Sequence, residues 1–153
     1  MNKMITAILL AASLATADIC HGIETTEDDF TGEITQRNSF DFVSSMNPIA
    51  IYKHVRGGSA IYSLILSVKG SDSYSRLKNV DIKFSDGTVY RFENADVSAR
   101  YSDGWDYSTM VTLTREQFLM LKNKNIQKYR LSIYSREVGP EEAAVFKGFV
   151  NCL

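Results

Sequence analysis

Two carboxylates, Asp103 and Asp106, flank the single tryptophan, Trp105, within the run Tyr101-Ser102-Asp103-Gly104-Trp105-Asp106-Tyr107. Two carboxyl groups about 5 to 10 Å apart across a cleft are the machinery of glycoside hydrolysis, one held protonated and the other ionised. Without a cleft the same residues make a different kind of site. Aromatic rings stack on a sugar face or anchor a protein partner, and carboxylates beside them accept hydrogen bonds. Asp103-Gly104 has the composition of a tight hairpin turn, which explains Asp103 by itself, and short loops leave little room for a deep cleft. The binding reading therefore groups Tyr101, Asp103, Trp105, Asp106 and Tyr107. The competing reading folds Trp105 onto a sheet as part of the core.

Other chemistry-bearing residues are sparse. Histidine occurs only at His21 and His54. A Ser-His-Asp or Cys-His site would have to use one of them, and no Gly-x-Ser-x-Gly elbow accompanies either. His54 lies in a strand-like run beside a turn, an ordinary place for a solvent-facing histidine. Two histidines and two distant cysteines do not supply four zinc ligands at short spacing. Glu24, Glu27, Asp28 and Asp29 cluster without the Asp-x-Asx-x-Asx-Gly loop that binds calcium. Gly70–Ser75 lacks the spacing of a phosphate-binding loop. No catalytic residue, metal ligand or cofactor is assigned.

The N-terminus reads as an export signal. Lys3 is followed by the apolar run Ile5–Leu14, and Ala15-Thr16-Ala17 fits the small-x-small cleavage rule. A run of about ten apolar residues is half of what a membrane span needs, and no later stretch approaches that length. Removing residues 1–17 takes away one lysine and moves the formal net charge from −1 to −2. Such a balance carries no electrostatic footprint for nucleic acid. The basic stretch Lys122, Lys124, Lys128 and Arg130 reads as a solvated helix end and strand face.

Cys20 lies just past this cleavage point and Cys152 is the penultimate residue. Export implies an oxidising compartment, and the ends of a small domain often meet, so a Cys20–Cys152 disulfide is expected. Ile19 and Asp18 ahead of Cys20 do not suit lipid attachment, which wants a small residue there.

These features need elements to position them, and the chain of 153 residues allows one domain. Residues 18–39 are polar and read as a solvated N-terminal arm. From Phe40 the pattern is mainly strand. Phe40–Val43 and Ile49–Val55 are short runs split by Asn47-Pro48 and are candidates for a sheet edge. Arg56-Gly57-Gly58-Ser59 turns into a longer strand over Ala60–Val68. Two segments echo each other, Phe84–Tyr90 and Tyr101–Tyr107, each an aromatic, Ser-Asp-Gly, two residues and a tyrosine. The first predicts a type I′ hairpin at Asp86-Gly87, and the second turns 97–101 into 107–113. Thr114 and Gln117 have capping-box spacing ahead of a short helix. A single strand follows over Ile126–Tyr134, with Tyr129, Leu131 and Ile133 facing inward. Pro140, Glu141 and Glu142 suit the start of a terminal helix that buries Ala143, Phe146, Phe149, Val150 and Leu153. Gly148 argues for a short strand instead.

The expected fold is a mostly β, α+β domain: an antiparallel meander or small β-sandwich with one short internal helix and a C-terminal helix. The expected function is that of an exported binding or interaction module with a protein or glycan partner, in the periplasm, at the cell surface or secreted. A small carboxylate hydrolase and a structural subunit of a surface assembly are the alternatives.

Overall fold

The computed structural model describes residues 19–38, 48–73, 79–93 and 95–153. Residues 1–17, expected to be an export signal, and the run Phe40–Val43 lie outside them. The described strands are β1 (Ile23–Glu27), β2 (Ile34–Asn38), β3 (Ile49–Arg56), β4 (Ser59–Gly70), β5 (Val80–Phe84), β6 (Val89–Phe92), β7 (Val97–Tyr101), β8 (Trp105–Leu113), β9 (Ile126–Leu131) and β10 (Tyr134–Glu137). Two helices, α1 (Arg115–Asn123) and α2 (Pro140–Cys152), follow β8 and β10. All pairings are antiparallel. They make a six-stranded sheet in the order β1-β2-β3-β4-β8-β7 and a four-stranded sheet in the order β10-β9-β5-β6. The fold is the β-rich α+β class expected from the strand periodicity.

Alternation builds the core between the sheets. Leu64, Leu66 and Val68 of β4 and Tyr107, Val111 and Leu113 of β8 face Val80, Ile82 and Phe84 of β5 and Tyr129 and Leu131 of β9. Tyr129 stitches the sheets together: its buried hydroxyl donates to the carbonyls of Ser67 and Pro48. Burial pushes its pKa up, so the ring stays neutral. Phe118 and Leu121 of α1 and Ala143, Phe146 and Val150 of α2 close the same core.

Local signals place several elements as expected. Gly57 and Gly58 both take positive φ, as the two-residue turn from Arg56 to Ser59 requires. The capping box at Thr114 and Gln117 is formed in both directions. Helix α2 starts at Pro140 and buries Ala143, Phe146, Phe149 and Val150. Its Gly148 is a packing requirement, because a Cβ there would sit 2.9 Å from the side chain of Ile19. Next to that contact, Cys20 and Cys152 stand at disulfide-bonding distance, with Cα atoms 5.5 Å apart.

Other regions depart from the sequence reading. Residues 18–39 are not a solvated arm over their described part: β1 and β2 pair from Ile23↔Asn38 to Glu27↔Ile34, and β2 docks on β3. Polar contacts hold this hairpin, including Arg37 with Glu24 at 2.9 Å and the buried Asn38 amide oxygen accepting from Ile51 N–H. Hydrophobic periodicity is blind to such a hairpin. With β2 alongside it, β3 is an interior strand and not the edge expected for Ile49–Val55. The hairpin at Asp86-Gly87 is present, but only Gly87 has positive φ; Gly87 N–H bonds Phe84 O and Phe84 N–H bonds Thr88 O. This is the three-residue hairpin loop, a turn closed by a left-handed glycine, rather than type I′. The strand expected over Ile126–Tyr134 ends at Leu131. Ser132 takes φ 56°, Tyr134 pairs back with Leu131, and Ile133 points to solvent at the turn.

Candidate functional site

The β7–β8 hairpin carries the five residues grouped by the sequence, and strand alternation divides them. Tyr101 pairs with Trp105 across the loop 102–104, where Gly104 takes φ 105°. Trp105 and Tyr107 point toward the core and Asp106 points away from it. Tyr107 is fully buried, its hydroxyl donating to Asp72 O and its ring 4.7 Å from that of Tyr134. It is a core residue and not a contact for a partner, and Gly70 is what lets both rings approach the β4 backbone. Asp106 is committed to Lys69 at 3.0 Å on the outer face of the sheet, while Asp103 stands on the exposed turn. The two carboxylates therefore differ in setting, one ion-paired on a strand and the other on the exposed turn. What remains of the group is Tyr101, 67% exposed, packed edge-to-face on a half-buried Trp105 at 5.3 Å. His54 lies on β3 as expected, its Nδ1 3.1 Å from Thr35 Oγ1 and 3.3 Å from Glu33 Oε1.

A second surface, not grouped by the sequence reading, is assembled by register on the outer face of the four-stranded sheet. Residues that alternate away from the core fall into two rows across the strands. One row runs Arg91, Asp81, Arg130, Ser135; the next runs Val89, Lys83, Lys128, Glu137. Asp81 is the buried centre of the first row. Arg91 Nε donates to its Oδ1 at 2.6 Å and Arg130 Nε to its Oδ2 at 3.0 Å. Hydrogen bonding to Arg91, with Arg130 opposing the cost of burial, holds the Asp81 carboxyl below the usual carboxylate range. Both guanidinium groups are thereby fixed in place while remaining about half exposed.

The second row is electrostatically uncomfortable. Lys83 lies directly across from Lys128, and like charges in opposed positions destabilise a sheet. Lys128 reaches Glu137 at 2.8 Å, whereas Lys83 has no ion-pair partner among the described residues. Between the rows lies an open depression of about 310 Å³ lined by Asp81, Lys83, Lys128, Arg130, Val89 and Ile133. The last two are apolar and more than half exposed, so the depression combines cationic walls with aliphatic contact. The period-two alternation of Asp81 with Lys83 and of Lys128 with Arg130 signals an outward face. It does not say that these strands and Arg91 meet.

Among the described residues no cluster of three or more His, Cys, Asp or Glu side chains could hold a metal ion. No helix there is long and apolar enough to cross a membrane. Comparison of the chain with protein-family models, with curated proteins and with solved structures finds no match.

Proposed function

We propose that this protein is an exported binding module that takes anionic groups of a protein or glycan partner on the outer face of its four-stranded sheet. One observation carries the reading: Lys83 and Lys128 are opposed across the ladder beside two arginines already oriented by Asp81. An anion seated there relieves the repulsion between the lysines and meets guanidinium donors whose freedom is already reduced. Export is supported by the leader-like run at residues 1–17 and by the cysteine pair joining the two ends of the chain.

Titration calorimetry with polyglutamate and with polygalacturonate tests the reading directly. Binding is expected to weaken with added salt and to fall about tenfold or more in Lys83→Glu/Lys128→Glu. Equal binding by the double variant and the wild type would overturn it.

The exposed ring of Tyr101 against Trp105 favours a second reading, in which this corner stacks on a neutral sugar. Here Tyr101→Ala abolishes a glycan-induced blue shift of Trp105 fluorescence. The absence of any such shift across a neutral glycan panel would remove this reading.

A further inference from the structure

Resting on the cationic-face reading, we propose that the anionic partner is a second copy of the same chain. The acidic tip of its β1–β2 hairpin would seat Phe30 in the Val89–Ile133 depression.

The tip is built to present one ring. Phe30 is 99% exposed, the most exposed large apolar residue among the described ones, and its loop is held by hydrogen bonds. The Asp28 carboxylate accepts from Phe30 N–H at 3.0 Å, Thr31 N–H at 2.7 Å and the Thr31 hydroxyl at 2.9 Å. Asp28 N–H bonds Glu33 O and Gly32 N–H bonds Asp28 O, with Gly32 at φ 65°. A ring held in solvent by a fixed loop has little backbone freedom left to lose on binding. Aromatic side chains dominate interface energetics when they enter a desolvated pocket.

Charge then selects the pocket. The tip reads Glu27-Asp28-Asp29-Phe30-Thr31-Gly32-Glu33, four acids around one aromatic and no base. The depression has the opposite balance: three bases, Lys83, Lys128 and Arg130, against the one acid Asp81, flanked by exposed Val89 on β6 and Ile133 at the β9–β10 turn. Phe30 would pack on an exposed aliphatic side chain at the rim while Asp29 and the neighbouring acids meet the lysines. Within one copy the ring touches nothing at that exposure, so its own sheet does not occupy it. Tip and face are different surfaces, so the contact is head-to-tail, leaving each copy one free tip and one free face. Such contacts extend into chains or close into rings. A single tip buries a small area, so the association is weak, concentration-dependent and salt-sensitive.

Sedimentation velocity of the mature protein over a concentration series is the test. Wild type should shift to larger species as concentration rises and revert in high salt. Phe30→Ser, which removes the tip, and Lys83→Glu/Lys128→Glu, which reverses the face, should each remain monomeric. Mixed together, they should form a one-to-one dimer that grows no further, because one supplies only a face and the other only a tip. Lys83→Gln/Lys128→Gln repeats the face test without reversing charge, and circular dichroism verifies that every variant is folded. A wild type that stays monomeric, variants that assemble as wild type does, or a mixture that fails to pair would each overturn the proposal. Polyglutamate separates the two ideas. If it binds the face of a wild type that stays monomeric, the self-docking falls and the anion-binding reading stands. If it binds without regard to Lys83 and Lys128, the anion-binding reading falls.

Discussion

The outer faces of the two sheets share one core and are finished in opposite ways. On the six-stranded sheet the ion pairs sit toward the margins, Arg37 with Glu24 and Lys69 with Asp106. Its middle rows hold Ala50, Ile65 and Met110 in one line and Tyr52, Ser63 and Thr112 in the next. On the four-stranded sheet the charges crowd the middle: Asp81 between Arg91 and Arg130, and Lys83 against Lys128. The larger face carries uncharged side chains, including Tyr52, in both of these middle rows. Central charge on the smaller face is therefore not a requirement of the architecture. It includes a like-charge pair that works against stability, which the proposed anion would relieve.

The sharpest way to break this contrast is to release the larger sheet from its clamp. Cys20 and Cys152 are 132 residues apart in sequence, and a crosslink closing so long a loop contributes roughly 4 to 5 kcal/mol by limiting the unfolded chain. Cys20→Ser/Cys152→Ser should lower the urea midpoint accordingly. Hydrogen exchange should show β1 and β2 losing protection first, while β5 and β9 hold theirs. Uniform loss across both sheets would show that the bridge acts on the whole fold and not on the hairpin it borders.

Removing the anion at the centre of the smaller face is the next largest effect. Asp81→Ala leaves Arg91 and Arg130 without their shared acceptor and should destabilise by about 2 kcal/mol, the scale for hydrogen bonds to charged groups. The same change raises the net positive charge of the face, so affinity for polyglutamate should rise while stability falls. Acid should reach the same endpoint in the wild type. Because the Asp81 pKa is depressed on folding, its stabilisation is present above the ordinary carboxylate value of about 4 and is lost as pH falls through the lower folded value. Urea midpoints of wild type and Asp81→Ala should therefore converge as pH falls from neutral to below the ordinary carboxylate range. A constant gap would place the Asp81 effect in packing and not in charge.

The elements readable in the sequence are those set by neighbours along the chain. The turn glycines Gly57, Gly58 and Gly87, the Thr114–Gln117 box and the Pro140 helix start each depend on a few consecutive residues. The β1–β2 hairpin was not readable because its strands are polar and its stability comes from cross-strand pairs such as Arg37 and Glu24. The break at Ser132 was hidden because Ile133 continues the apolar alternation it should have ended. The candidate site was least legible. Asp81, Arg91 and Arg130 meet only through the β6-β5-β9 register, which no local pattern encodes. In the aromatic corner, Trp105 and Tyr107 look alike in sequence. Gly70, far away in the chain, admits the Tyr107 ring to the core.

A smaller effect probes the join between the faces. Tyr129→Phe removes the hydroxyl that reaches from β9 to the Ser67 and Pro48 carbonyls and should cost about 1 kcal/mol in thermal or urea unfolding. Its ring stays buried between the sheets, so polyglutamate affinity should not move. A drop in affinity would mean that the spacing of the two sheets controls the cationic rows.

The smallest effect is the control that gives the comparison its meaning. Met110 is the exposed centre of the neutral face, 64% open to solvent and directly across from Ile65. Met110→Glu should change stability by no more than about 0.5 kcal/mol, the usual range for a surface substitution away from caps, cavities and ion pairs. Polyglutamate affinity and sedimentation should stay at wild-type values, since Met110 and the cationic rows lie on different sheets. A loss well beyond that range would show the Met110 side chain to be packed. The neutral face would then be a covered surface, and the absence of charge there would reflect burial and not a freedom the smaller sheet gives up.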